Sequence, residues 1–354
     1  MTDVDTGLRV RPLLTEDEPT VVELLATALG QGPTGNLTEE FFAWKHRANP
    51  FGPSPGLLAE HEGQIVGVRL FLRWQLEALG QPILALRAVD TATDPGHQGR
   101  GIFRRLTLDL LSRLQEAGEV DLVFNTPNGS SRPGYLKMGW QSVGTLPVRL
   151  HPVRPVRVLR GAHAAGGTIA TAARGAGPEQ HAPHDLTACP FHTAGLVLHE
   201  RGQEVETLLA ESAQARELHT PRSLAYLTWR YGDAPGLDYR CITVESGGQL
   251  SGIAFGRLRR RGPLNEFTLS DLVVRDGDQH AARRLLWAAR RSGGDHVAVH
   301  TPSGTTEDRT ASTTGYFRVP RQGLGLVANP RRATPVDPLE VQSWKLSLGD
   351  LEVF

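Results

Sequence analysis

Between Val89 and Phe103 the chain reads VDTATDPGHQGRGIF, a β-rich run that enters a glycine-rich turn and passes directly into an amphipathic helix. A helix that starts at such a turn leaves its first backbone N–H groups without intrahelical partners, and the positive end of its dipole adds to their pull on an anion. That arrangement holds a pyrophosphate without any cationic side chain, and Gly99 and Gly101 let a ligand approach the backbone. A phosphate-binding loop of the Walker type needs Gly-Lys-Ser/Thr, which is absent. A dinucleotide fingerprint needs a third glycine where Arg104 stands, and the strands upstream read as antiparallel hairpins rather than a βαβ unit.

The letters of this segment resemble those of the GNAT superfamily of N-acyltransferases. The pattern V-x-P-x-x-[QR]-G-x-G-[IL]-[GA] of that family aligns with Thr93, Pro95, Gln98, Gly99, Gly101, Ile102 and Phe103, with Phe103 departing from the usual Gly or Ala. A second pattern, N-x-x-A-x-x-x-Y-x-x-x-G-[FW], appears as Asn128, Ser131, Tyr135, Gly139 and Trp140. The two cover residues 89 to 140, and the strand order upstream extends the resemblance over about the first 150 residues.

The resemblance implies a set of roles. The backbone of Thr91, Ala92 and Thr93 pairs with the pantetheine arm of an acyl-CoA, acetyl-CoA being the expected co-substrate. Gln98, Gly99, Arg100, Gly101, Ile102, Phe103 and Arg104 hold its pyrophosphate, and Asn128 with Ser131 borders the pantetheine. Tyr135 falls where the family places the general acid that protonates the leaving thiolate. For the general base the candidates are Asp90 on the fourth strand, water, and the terminal carboxylate of Phe354. The latter follows from acetyltransferases of the enhanced-intracellular-survival type, whose third domain this chain is too short to hold. The acyl group then passes directly to an amine of a small-molecule acceptor such as an amino sugar or an antibiotic-like amine. A non-catalytic acyl-CoA sensor and an O-acyltransferase acting on a sugar are the alternatives.

These residues need a scaffold, and 354 residues exceed what one hydrophobic core usually serves, so two domains are expected. Lys plus Arg number 38 and so do Asp plus Glu; with no net positive field, nucleic acid and anionic membranes are not expected partners. Two cysteines without metal-ligand spacing, and histidines without an H-E-x-x-H helix, argue against a metal site. The N-terminus lacks a basic region followed by an apolar run, and no stretch approaches 18 uncharged apolar residues, so a cytoplasmic location is expected.

Hydrophobic periodicity gives a strand at residues 8 to 14, a helix behind the capping pattern Thr15 to Glu18, and a short helix from Thr38 to His46. A hairpin around Glu62-Gly63, a third β-run from Ile83 to Thr93, the helix from Gly101 to Ala117 and a strand at 120 to 126 follow. Pieces of this half then recur. Trp44 lies 23 residues before Gly67 as Trp229 lies 23 before Gly252; FNTPNGSS echoes in VHTPSGTT, and GYLKMGW in GYFRVPR. The expected organisation is α/β, two tandem GNAT-like domains with mostly antiparallel sheets. The first spans 1 to 150, a linker 151 to 190, a degenerate second copy 191 to 337, and a tail strand 338 to 354. The second copy has one glycine, with Asp276 and Asp278, where the phosphate turn should be, so a cofactor site is expected in the first copy alone.

Overall fold

The computed structural model describes residues 7–29, 37–164 and 191–351. In the first half β1 (Leu8–Pro12) pairs antiparallel with β2 (Gly56–His61), which turns through Glu62 and Gly63 into β3 (Gln64–Ala78). Both turn residues have positive φ, 52° and 78°, the twist that a two-residue hairpin needs. A second tight turn leads to β4 (Gln81–Thr93), which precedes helix α3 (Ile102–Glu116), β5 (Leu122–Asn125), α4 (Arg132–Lys137) and β6 (Gln141–Pro152).

Two helices, α1 (Glu18–Leu29) and α2 (Glu39–His46), stand between β1 and β2. Thr38 caps α2, its side chain accepting from the Phe41 N–H. The capping pattern read at Thr15 to Glu18 works differently: residues 15–17 form a 3₁₀ turn and the Asp17 carboxylate accepts the Leu14 N–H at 2.9 Å. Alternation along β3 puts Leu70 against α1 on one face of the sheet and Phe71 against α3 on the other.

The second half repeats the plan. Strands β8 (Arg240–Ser246), β9 (Gln249–Arg261) and β10 (Leu264–Val274) precede a helix Gln279–Ala289, β11 (His296–Val299), a helix Thr306–Thr313 and β12 (Phe317–Pro330). A short β7 (His192–Thr193) edges the sheet. The glycines at equivalent positions do equivalent work. A Cβ on Gly67 would lie 2.6 Å from Ile102 on α3, and one on Gly252 would lie 3.0 Å from Leu285 on the corresponding helix.

The twelve strands among the described residues form one sheet in the order β1-β2-β3-β4-β5-β12-β6-β11-β10-β9-β8-β7. The last strand of each half has therefore crossed over: β12 pairs with β5 of the first half, β6 pairs with β11 of the second, and β6 and β12 pair with each other at the centre. Each half thus completes its sheet with a strand of the other. Arg149 on β6 fastens the exchange, donating to the Asp308 carboxylate at 2.7 and 3.1 Å and to the Tyr316 carbonyl.

The two repeated tryptophans meet at this junction. Trp44 and Trp229 stack with ring centroids 5.2 Å apart, and each indole N–H donates to the other's backbone carbonyl, at 2.7 and 2.9 Å. The tail is not the strand expected from its sequence. Among its described residues it makes one bridge, Leu218 to Trp344, and ends in a short helix Leu348–Leu351 held by Asp350, which accepts from Arg222 and Tyr226.

Candidate active site

Strands β4 and β5 run parallel but pair only from Ala85–Leu122 to Arg87–Phe124. Beyond Arg87, β4 continues to Thr93 with β3 on one side alone, so its other edge carries unpaired backbone groups next to the end of β5. A bulge helps turn β4 away. Asp90 is the extra residue between the pairs Leu70–Val89 and Arg69–Thr91, and its φ of 38° is unusual for a residue with a side chain. Thr91, Ala92 and Thr93 follow it along this open edge, opposite Arg69, Val68 and Gly67 of β3.

The strand then enters the turn. Asp94 accepts the Gly96 N–H at 2.9 Å and the His97 ring nitrogen at 2.8 Å, shaping a short 3₁₀ turn, Pro95–His97. Gln98 is extended and reaches back toward the Thr93 carbonyl, while Gly99 and Gly101 both have φ of 76°. A Cβ at either glycine would touch no protein atom within 4 Å. What demands glycine there is the left-handed backbone, together with empty space in front of the turn. No side chain caps α3, so the amides of its first turn face that space; Ile102 is buried beneath, and Gln98, Arg100 and Arg104 are exposed around it.

The equivalent helix of the second half is closed. Asp278 caps it, accepting the Ala281 N–H at 2.8 Å, so a carboxylate already occupies the place an incoming phosphate would take.

Tyr135 on α4 is 4% exposed and its hydroxyl accepts a hydrogen bond from Arg69 Nη1 at 3.1 Å. Phe103 packs edge-on against the Tyr135 ring, 5.7 Å between centroids, and Trp140 lies on another side of it. The departure from the family pattern at Phe103 thus has a structural use, since this ring and Arg69 hold Tyr135 between α3 and the sheet. Arg69 is wholly buried, with its guanidinium 4.4 Å from the Phe71 ring centroid and its Nε and Nη2 without hydrogen-bond partners.

Asn128 is committed locally: its side-chain oxygen accepts from the Ser130 and Ser131 amides and the Ser131 hydroxyl, all within 3.1 Å, which shapes the loop into α4. The Asn125 side-chain oxygen, at the end of β5, is buried without a partner beside the open edge of β4.

Asp90 stands apart from these residues. Its carboxylate turns to α2, where it meets Lys45 Nζ at 2.6 Å and His46 Nε2 at 2.8 Å, on the face of the sheet opposite α3. Burial alone would raise its pKa, but the Lys45 charge and the His46 hydrogen bond outweigh it and hold the carboxyl far below the usual range. Burial pushes the His46 pKa down. Neutral His46 then donates from Nε2 to Asp90 and accepts the Ser54 hydroxyl at Nδ1, 2.9 Å away. A carboxylate held this firmly ionised by two partners is a weak proton acceptor. Phe354 lies outside the described residues, as do Cys189, His181 and His184; the Leu351 carbonyl accepts from Arg87 of β4 at 3.0 Å. Tyr316, the echo of Tyr135, is a structural residue that donates to the Leu286 carbonyl at 2.7 Å.

Among the described residues no group of three or more His, Cys, Asp or Glu could hold a metal ion, and no helix is long and apolar enough to cross a membrane.

Comparison with known proteins agrees with this geometry. Residues 9–143 match the family model described as the acetyltransferase (GNAT) domain. The first half thus contains an acetyltransferase (GNAT) domain, the domain of an acyltransferase enzyme. No curated protein matches the chain. Among solved structures, a probable N-acyltransferase of Enterococcus faecalis V583 is similar at 14% identity and a TM-score of 0.63, over 92% of this chain and 73% of that one. A GCN5-related N-acetyltransferase of Anabaena variabilis is 14% identical with a TM-score of 0.58, over 92% and 73%. Eis1 of Mycobacterium abscessus is 14% identical with a TM-score of 0.52, again over 92% and 73%. These three likenesses concern the fold.

Proposed function

We propose that the chain transfers an acyl group, acetyl first among them, from its CoA thioester to a primary amine of a small molecule, at a single site in the first half. The observation that carries this reading is the join of the unpaired β4 edge to the uncapped start of α3. An extended arm that carries amides at one end and a pyrophosphate at the other matches such a surface: the strand edge pairs with the amides and the helix start takes the phosphates. The residues present fit that group. Gly99 and Gly101 leave the approach open, and the orphaned Asn125 oxygen offers an acceptor beside the strand.

The bound thioester supplies the electrophilic carbonyl. Tyr135 gives its phenol proton to the sulfur as the carbon–sulfur bond breaks, and Arg69 stabilises the phenolate left behind. The amine's proton leaves to a base other than Asp90, whose carboxylate is committed to Lys45 and His46. Bringing amine and thioester together accounts for much of the rate. Amino sugars are the acceptor class we favour. A panel of amines tested for CoA-thiol release with Tyr135→Phe as control decides the matter: release that needs both an amine and Tyr135 supports the reading, and release indifferent to both sinks it.

A further inference from the structure

In the second half β10 and β11 part as β4 and β5 do. They pair only from Glu266–His296 to Leu269–Val299, a bulge follows at Ser270, and β10 runs on to Val274. The gap opens into a cavity of about 410 Å³, bounded by that end of β10, by His300 and Thr301 beyond β11, and by the start of helix Thr306–Thr313. The second copy has thus kept the cleft of the fold while closing its phosphate end with Asp278.

The cavity's polar groups are unevenly satisfied. Its cations are engaged: Arg222 with Asp271 and Asp350, Arg275 with Glu211, Lys345 with the Ser303 carbonyl and Glu217, and Arg309 with the Gly304 carbonyl. Of its acceptors one lacks a donor and one lacks an ion partner. His300 is 5% exposed, its Nδ1 lies 2.7 Å from the Pro147 carbonyl, and its Nε2 is buried without a partner. A carbonyl can only accept, so Nδ1 carries the proton and Nε2 presents a lone pair. Burial pushes the ring's pKa down, which keeps it neutral. Glu307, at the start of its helix, forms no ion pair with any Lys, Arg or His among the described residues. Burial pushes its pKa up, outweighing the pull of its own N–H, the Thr305 hydroxyl and the more distant Arg309 charge.

We infer that the cleft between β10 and β11 is a second ligand site, which takes a small organic molecule through an ammonium group bound by the Glu307 carboxylate and the His300 Nε2. An ammonium supplies an N–H donor to His300 Nε2 and a close positive charge to Glu307, whereas an anion would face Glu307 and Asp271. The site is separate from the acyl-transfer cleft and does not rest on the activity proposed there.

The test is calorimetric titration of the full-length protein with putrescine and with glucosamine, using N-acetylglucosamine as the probe without charge. Saturable binding of an amine, at least tenfold weaker in Glu307→Gln and unaffected by Tyr135→Phe, is expected, with acetyl-CoA affinity unchanged in Glu307→Gln. Should Glu307→Gln fail to fold, the His300 ring ¹⁵N resonances of the wild-type chain replace it, and the Nε2 signal shifts on saturation. Absence of saturable binding, equal affinity in Glu307→Gln, or an unmoved Nε2 signal overturns the inference. Loss of acetyl-CoA binding in the wild type would bear on the first site alone.

Discussion

Replacing Arg69 by Met separates catalysis from stability. The Arg69 Nη1 to Tyr135 hydroxyl bond, 3.1 Å long, is an ordinary charge-to-neutral contact in the resting enzyme and strengthens as the phenol gives up its proton. A hydrogen bond to a charged group contributes about 1.5–3 kcal/mol, so its loss should slow kcat by about 10- to 150-fold with little change in KM for the acyl-CoA. Stability runs the other way. Arg69 is completely buried with two of its three nitrogens unpartnered, so an apolar side chain of similar reach removes a desolvated charge and costs the fold little. The assay is CoA-thiol release against a fixed amine, with thermal unfolding alongside. If both residues act on one proton, the double variant with Tyr135→Phe is no slower than Tyr135→Phe alone. Unchanged kcat in Arg69→Met, or losses that multiply in the double variant, would refute the coupling.

Asp90→Asn strands the buried Lys45 charge and should destabilise the protein by about 3–5 kcal/mol in denaturant unfolding. His46 has its folded pKa lowered by burial, so its contribution is complete above its unfolded value of about 6.5 and fades as pH falls below it; Asp90, also lowered, follows below about 4. The melting temperature should therefore drop from pH 7 to 5, and His46→Gln should flatten that slope. Because β6 and β12 are exchanged, calorimetry should show one unfolding transition for both halves, and Arg149→Ala, which removes the closest ion partner of Asp308, should lower it without splitting it. Trp44→Ala removes the stack and the indole N–H bond to the Trp229 carbonyl and should cost about 3–5 kcal/mol in the same measurement.

Local elements were legible in the residues because local rules set them: the Glu62-Gly63 hairpin, the Thr38 cap and the glycine turn into α3 stand where the sequence places them. The repeat was legible in the spacing of Trp44 and Trp229, but not that the two rings bond each other, nor that β6 and β12 change places. Strand partners are chosen by long-range pairing, which no local pattern encodes. Arg69 was missed, although a cation inside the apolar run IVGVRLFL was a signal, since a buried charge needs a reason. Asp90 was read as a candidate base from its place on β4; its bulge and its partners on α2 lie beyond what alternation along one strand can show.

The central claim is one acyl-CoA site, built on the open β4 edge and the start of α3. Titrating acetyl-CoA into the wild-type chain and into Gly101→Val tests it most directly. Gly101 has φ of 76° and a Cβ there meets no protein atom within 4 Å, so valine strains the turn by about 1–2 kcal/mol and places its bulk in the approach to the helix amides. One site per chain in the wild type, with affinity lost in Gly101→Val while the chain stays folded, is the expected result; two sites per chain, or equal affinity in both proteins, would contradict it.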